Sequence, residues 1–220
     1  MMHVHVDRCD STQDILKEQL SLHPSEQILV SCESQTHGRG RGSHTWDDSI
    51  GTICFSMNIT PHSKISFTAM EMALLVCKFF EETGHEIKLK WPNDLLTKQG
   101  LKCGGILVQG SGDIYLAGIG INLYSTRAEY GGVHDEEFFF DKSKWSLELG
   151  QFILQNRYQS TEDLVREWQD RCIHLRKDVR IIDDRTEITG LFLGLGENGE
   201  ALLETATGSQ RIFNGSLRII

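Results

Sequence analysis

Two arginines alternate with glycines in one short segment of this chain. Arg39 and Arg41 stand between Gly38, Gly40 and Gly42, so the backbone that carries both guanidinium groups has unusual conformational freedom. Ordering such a segment costs about 1–2 kcal/mol per residue, which a ligand must offset. One interpretation is a flexible solvated loop. The other is an anion-binding clamp that becomes ordered when it closes on a phosphate or a carboxylate.

Three further segments carry groups that suit a ligand. Trp46 follows the arginines and either covers a planar ring or packs in the core. Lys102 precedes the pair Gly104 and Gly105 inside a strand-like run. Glycines within a strand mark either the close approach of a ligand or a β-bulge, and this segment alone favours the bulge. The segment 118–122 is another glycine-bearing strand and indicates little by itself.

Polar side chains also follow the end of one predicted strand. In the segment 90–94, Trp91 has the parity of a buried position, and Pro92 ends the strand. Asn93 and Asp94 come next and would lie at the mouth of a sheet. A plain turn is the alternative, because Asn and Asp are common turn residues.

The elements that must hold these groups alternate between strands and helices. Apolar spacing predicts helices over residues 11–23, 67–80, 145–157 and 161–175. Short apolar or alternating runs predict strands at residues 27–31, 52–59, 87–91, 94–98, 101–109 and 114–122. Residues 33–45 are predicted as a polar loop, and residues 124–144 follow no regular pattern. The predicted fold class is therefore α+β, with a mixed β-sheet backed by helices.

The chain changes character after residue 176. Short strands are predicted at residues 179–182, 188–195, 201–205 and 210–220, separated by polar turns. Strands of this length and spacing are typical of a small all-β unit, here a small β-barrel. The sequence therefore predicts two domains, 1–176 and 177–220.

Composition argues against several classes of protein. Lys and Arg number 22 against 31 Asp and Glu, a formal net charge of −9 at pH 7, so general affinity for DNA or RNA is not expected. No apolar run is long enough for a membrane helix or a secretory signal. The six cysteines form no C-x-x-C pair, which favours free thiols and a cytoplasmic location. A P-loop enzyme is disfavoured because no G-x-x-x-x-G-K-[ST] segment is present.

Four segments, taken in order, resemble the biotin protein ligases. They are Gly-Arg-Gly-Arg ending in Trp at 38–46, Lys-Trp-Pro-Asn-Asp at 90–94, Lys with Gly-Ile-Leu-Val at 102–108, and Gly-Ile-Asn at 120–122. The resemblance implies a catalytic fold like that of class II aminoacyl-tRNA synthetases, followed by an SH3-like barrel. It also implies activation of biotin by ATP and Mg²⁺ to biotinyl-5′-AMP. The biotinyl group then passes to a lysine of a biotin carboxyl carrier protein, a subunit or domain of acetyl-CoA carboxylase.

The resemblance also assigns roles to individual residues. The catalytic set it implies is Lys102, Arg39, Arg41 and Asp94. The biotin-binding set is Ser11, Thr12, Gln13, Gln35, Arg39, Gly40, Arg41, Lys102 and Gly105. The set for ATP and the adenylate is Arg39, Arg41, Trp46, Lys90, Asn93, Lys102 and Asn122. No metal site made of protein ligands alone is expected, and Mg²⁺ would arrive with ATP near Asn93 and Asp94.

Asp94 has a specific implied role, which is to position the acceptor lysine. That amine has an ordinary pKa near ~10.4 and therefore arrives charged. Because the motifs begin by Ser11, the expected form is the stand-alone one without an N-terminal DNA-binding domain, and no DNA partner is predicted. A homodimer is left open.

Three parts of the sequence depart from the family pattern, and one of them, residues 124–144, follows no pattern of the family. Gly42-Ser43 stands where a basic residue and then glycine are usual, and Gln109 replaces a common acid. Two alternatives also remain. One is a lipoate or octanoate ligase or transferase of the related fold, and the other is a non-catalytic sensor that binds biotin or its adenylate.

Overall fold

The computed structural model describes residues 1–42, 44–48, 51–111, 114–183 and 186–220. Its helices are α1 (Thr12–Leu22), α2 (Thr68–Glu82), α3 (Lys142–Gln155) and α4 (Thr161–Asp170). Strands up to residue 59 are β1 (Met2–Cys9), β2 (Ile28–Gln35), β3 (Gly38–Arg39), β4 (Thr45–Trp46) and β5 (Thr52–Ile59). The next four are β6 (Ile87–Lys90), β7 (Asp94–Thr97), β8 (Lys102–Ser111) and β9 (Ile114–Asn122). The last five are β10 (Asp178–Ile182), β11 (Glu187–Leu195), β12 (Ala201–Thr205), β13 (Gly208–Ile212) and β14 (Ser216–Ile219).

A large mixed sheet of seven strands forms the centre of the molecule, in the order β1-β2-β5-β9-β8-β7-β6. β1 and β2 are parallel, and the other neighbours are antiparallel. Side chains alternate between the two faces of a strand. Leu29 of β2 therefore joins the main core with α2, α3 and α4, whereas Ile28 and Val30 pack under α1. The predicted α+β class, with a mixed sheet backed by helices, is confirmed.

Several predicted bounds are matched residue for residue. The strands predicted at 52–59, 114–122 and 201–205 are β5, β9 and β12. The predicted helix 161–175 is wrong at its end, because α4 stops at Asp170. There the backbone pairs with the edge strand β6: Leu89 donates its N–H to Arg171, and Ile173 donates to the Leu89 carbonyl.

The predicted polar loop 33–45 is only partly a loop. β2 continues to Gln35 because β1, which the sequence did not predict, pairs with it along its whole length. Gly38–Arg39 then pairs antiparallel with Thr45–Trp46. This short ribbon is called the glycine hairpin below. Ser43 lies outside the described residues, as do Gly112, Asp113, Asp184 and Arg185 of the predicted turns.

The residues from Asp178 onward form a second, smaller sheet. It is antiparallel, with the order β13-β12-β11-β10-β14. The run predicted at 210–220 is two strands, separated by residues 213–215. The predicted C-terminal β-unit is confirmed as a sheet, while its closure into a barrel and the boundary at residue 176 stay predictions.

The small sheet shares the main core with the helices. Phe192, Leu203 and Leu217 are buried there, and the Trp91 indole donates to the Gly199 carbonyl at 3.0 Å. None of the helices in the described part of the chain is long and apolar enough to cross a membrane.

Candidate functional site

A cavity of about 1060 Å³ opens on the α1 side of the large sheet. Gly118 and Gly120 of β9 line it, and the side chains of Ile119 and Ile121 belong to the main core. The N-terminal end of α1, the glycine hairpin, and the turn before β14 form its walls. Every residue that the family resemblance assigns to a site lines this cavity: Ser11, Thr12, Gln13, Gln35, Arg39, Gly40, Arg41, Trp46, Lys90, Asn93, Asp94, Lys102, Gly105 and Asn122.

A polar cluster lies where α1 begins. Thr12 donates its backbone N–H to the Gln35 Oε1 at 2.9 Å, and its hydroxyl lies 2.7 Å from the Ser56 hydroxyl. The Ser11 side chain caps α1 by accepting from the backbone N–H of Gln13. Sequence reasoning missed Ser56, although its register opposite Gly118 places it on the cavity face of β5. These hydroxyl and amide groups can donate and accept hydrogen bonds with a polar ring.

The two glycines of β9 leave room for side chains that cross them. A Cβ at position 118 would lie 2.9 Å from the Gln13 Nε2, and one at position 120 would lie 2.5 Å from the Trp46 ring. Gln13 Nε2 donates to the Leu107 carbonyl at 3.3 Å. The glycines seen in the sequence are therefore a steric requirement of the cavity floor.

Asp94 holds two ammonium groups in the cavity. Its Oδ1 lies 2.6 Å from the Lys102 Nζ, and its Oδ2 lies 2.8 Å from the Lys90 Nζ. Burial by itself would raise the pKa of Asp94, but Lys102 and then Lys90 outweigh it, so the pKa lies below its ordinary value. Asp94 is thus an anion that places two cations.

The β-bulge interpretation of the glycine pair after Lys102 is confirmed, and the approach of a ligand there stays a prediction. The register between β7 and β8 shifts: Leu95 pairs with Gly104 and Leu96 with Lys102, which leaves Cys103 as the extra residue. A Cβ added at Gly105 would lie 3.8 Å from both the Lys102 Cε and the Trp46 ring. The bulge therefore sits beside a bare strand that a ligand could approach.

The two arginines of the glycine hairpin point to different partners. Arg39 pairs with Asp14 of α1 at 2.6 Å, and both side chains are partly exposed. Arg41 donates to the Asn93 Oδ1 at 3.2 Å and to the Asn214 Oδ1 at 2.7 Å. Burial lowers the pKa of Arg41 and Asp94 acts to raise it, but a guanidinium stays protonated in proteins. Arg41 and Lys102 therefore converge on neighbouring residues, Asn93 and Asp94.

Two further parts of the wall were not expected from the sequence. Arg127, in the irregular segment 124–144, pairs with Asp47 just after the glycine hairpin. Asn214 and Gly215 reach the cavity from the small sheet. The only sequence signal for Arg127 was its position shortly after the segment 120–122, and no sequence signal pointed to Asn214.

Asn122 is held by its neighbours. Its Oδ1 accepts from the Thr52 hydroxyl at 2.7 Å, and its amide nitrogen donates to the Gly131 carbonyl. Across the described residues, no group of three or more His, Cys, Asp or Glu side chains is arranged to hold a metal ion. The cavity combines clustered cations, the indole of Trp46 and a polar cluster, which suits a ligand with a polar ring and several negative charges.

Comparison with known proteins agrees with this geometry. Residues 5–124, more than half of the chain, match the biotin/lipoate A/B protein ligase family. A biotin–[acetyl-CoA-carboxylase] ligase of Paracoccus denitrificans is 25% identical over 93% of this chain and 95% of its own length. The bifunctional ligase/repressor BirA of Bacillus subtilis is 25% identical over 98% of this chain and 73% of its own length.

Solved structures show the same fold. The biotin protein ligase of Aquifex aeolicus, in complex with biotin and ATP, superposes with a TM-score of 0.82 at 25% identity, over 100% of this chain and 99% of that one. The biotin acetyl coenzyme A carboxylase synthetase of Helicobacter pylori superposes with a TM-score of 0.71 at 20% identity, over 100% of both chains. This chain belongs to the biotin/lipoate A/B protein ligase family.

Proposed function

We propose that this chain is a biotin protein ligase. It joins biotin to ATP as biotinyl-5′-AMP and transfers the biotinyl group to a lysine of a biotin carboxyl carrier protein. The observation that carries the proposal is the cation group held by Asp94 in the same cavity as the Thr12, Gln35 and Ser56 cluster. The named activity of the Paracoccus relative, and the biotin and ATP bound by the Aquifex protein, support it.

The polar cluster suits the ureido ring of biotin. That ring offers two N–H donors and a carbonyl acceptor, so it needs acceptors and donors together. Gln35 Oε1 and the hydroxyls of Thr12 and Ser56 can accept, and those same hydroxyls or Ser11 can donate. We assign the ring to this end of the cavity.

The cations in the cavity would offset the electrostatic repulsion between the two substrates. A carboxylate and a triphosphate repel each other, by roughly 4 kcal/mol for two unit charges about 4 Å apart at an effective dielectric near 20. Lys102 and Lys90 would reduce this repulsion while a biotin carboxylate oxygen bonds to the α-phosphorus and pyrophosphate leaves. Arg39 and Arg41 would cover the ligand from the glycine hairpin. Trp46 and Asn122 are assigned to the nucleotide side, and Gly40 and Gly105 to close backbone approach.

Magnesium fits this site as an ion that arrives with ATP. Asn93 and Asp94 supply side-chain oxygens of the kind Mg²⁺ prefers. Both are already engaged, Asn93 by Arg41 and Asp94 by two lysines, so phosphate oxygens would provide most of the ligands. When bound there, Mg²⁺ neutralises charge on the triphosphate.

In the second half-reaction the carrier amine attacks the carbonyl carbon of the adenylate. The ammonium first gives a proton to water, and the neutral amine then forms the new C–N bond, which replaces the C–O bond to phosphate. AMP leaves, and the second proton released from the nitrogen also passes to water. Asp94 has a lowered pKa and is a weak base, so its role is to orient the charged amine rather than to take its proton. The glycine hairpin would exclude water from the reactive anhydride.

The test is incubation with ATP, Mg²⁺, biotin and a carrier domain, followed by mass spectrometry of the carrier. The expected result is the mass gain of one biotinyl group, together with biotin-dependent exchange of pyrophosphate into ATP. Lipoate and octanoate are run in parallel, and exchange with either of them but not with biotin would assign the alternative activity. Exchange without carrier modification would indicate a protein that makes and holds the adenylate.

A further inference from the structure

Arg41 joins two parts of the molecule that are far apart in the chain. Its Nη2 donates to the Asn214 Oδ1 at 2.7 Å, and both terminal nitrogens lie 3.4 Å from the Gly215 carbonyl oxygen. Its Nη1 also donates to Asn93. The guanidinium is thus held between the strand end that carries Asp94 and the turn of the small sheet.

That turn packs closely against β10. Gly215 has φ +137°, a backbone conformation that L side chains rarely adopt, and a Cβ there would lie 2.6 Å from the Ile181 side chain. Leu217, two residues further, is buried in the main core. The acceptors offered by Asn214 and Gly215 therefore lie on a turn packed against the small sheet, whereas Arg41 lies between two glycines.

We propose that Asn214 is a positioning residue for Arg41. It holds the guanidinium over the cavity before the ligand arrives, so that the small sheet is part of the ligand-retaining site. A long side chain on permissive backbone loses much rotamer freedom when it binds, and fixing it beforehand reduces that loss. The inference rests on the proposed function, and it assigns to Asn214 a share in retention of the adenylate.

The experiment measures how fast preformed biotinyl-5′-AMP leaves the full chain. Asn214→Ala removes the acceptor and Asn214→Asp keeps it. Asn198→Ala, at an exposed turn of the same sheet, is the matched control. Asn214→Ala is expected to speed dissociation on the order of five-fold, as for a lost hydrogen bond to a charged group at a partly exposed site. Asn214→Asp and Asn198→Ala should stay close to the parent protein.

A double-mutant cycle separates positioning from a general structural effect. In an Arg41→Ala background, Asn214→Ala should change the dissociation rate no further, and thermal unfolding should be unaltered by Asn214→Ala. Unchanged or slower dissociation in Asn214→Ala, or an equal acceleration in the Arg41→Ala background, would overturn the inference. Failure of the parent protein to form any adenylate would instead count against the proposed function.

Discussion

The Trp46 indole lies directly on Gly120. A Cβ at position 120 would be 2.5 Å from the indole Cε2 and 2.9 Å from its Nε1, and the ring also comes near Gly105 on the neighbouring strand. The hairpin that carries Arg39 and Arg41 therefore packs on the sheet through the Trp46 ring. This packing requires a residue without a side chain beneath the ring.

Gly120→Ala should disturb the packing of the Trp46 ring on the sheet. A methyl group in tight packing typically costs about 1–3 kcal/mol, here because the Trp46 ring must move off the cavity floor. We expect a lower melting temperature and roughly ten-fold slower biotin-dependent pyrophosphate exchange. Gly110→Ala is the control, since a Cβ there makes an ordinary 3.7 Å contact with Tyr115. Equal activity of the two variants would contradict the importance of the ring position.

Lys102→Ala should abolish most adenylation. Removal of one group that stabilises charge in a transition state typically costs about 10²–10³ in rate, and we expect a loss in that range in pyrophosphate exchange. Lys98→Ala is the control in the same β7–β8 hairpin and should leave exchange nearly unchanged. The Lys98 side chain is 74% exposed and pairs with Glu86 outside the cavity. Near-parent exchange in Lys102→Ala would refute its assigned role.

Asp94→Asn should leave two ammonium groups close together without their shared anion. We expect a loss of exchange activity on the order of 10², and Glu148→Gln, which removes a surface carboxylate on α3, should have little effect.

Because the folded pKa of Asp94 is lowered, its contribution to stability is present above its unfolded pKa of about 3.9. The stability difference between parent and variant should shrink as pH falls through the folded pKa. Denaturant unfolding at several acidic pH values measures it, and a constant difference would contradict the ion pairs.

His174 should make the fold sensitive to mild acid. Its ring is fully buried and stacks edge-on to Phe192. Burial, followed by the charges of Lys90 and Lys177, lowers its pKa to about 3. The unfolded chain therefore takes up a proton on this imidazole as pH falls through about 6.5, whereas the folded protein does not. The free energy of unfolding consequently decreases below that pH.

Between about pH 7.5 and pH 5, the parent protein should lose about 2 kcal/mol more of its free energy of unfolding than His174→Gln. Denaturant titrations at the two pH values provide the measurement. Parallel losses in both proteins would show that His174 titrates in the folded state much as it does in the unfolded chain.

The sequence predicted best those features that depend on local patterns. Strand β5 alternates between core and cavity residues, and β9 ends at turn signals, so their bounds could be found from the chain alone. The cavity residues Lys102, Asp94 and Arg41 came from motifs that resemble those of the family. Their placement in one cavity agrees with the resemblance, and their individual roles stay predictions.

Other features depend on contacts between distant segments. Strand β1 carries His3 and His5 among its valines, and it becomes a strand because β2 offers a parallel partner. Arg41 and Asn214 are 173 residues apart in the chain and are brought together by the packing of the small sheet. No local sequence pattern predicts the contact between these two residues, because it depends on how two separate sheets pack together.

The hydrogen bond from Trp91 to Gly199 affects how the protein unfolds. The indole belongs to the strand end beside Lys90 and Asp94, and its acceptor belongs to the turn between β11 and β12. With Phe192 and Leu203 in the same apolar interior, the last fifth of the polypeptide should unfold together with the rest in a single cooperative step. A chain cut after residue 176 would expose that interior and would be a substrate for aggregation and proteolysis rather than a minimal enzyme.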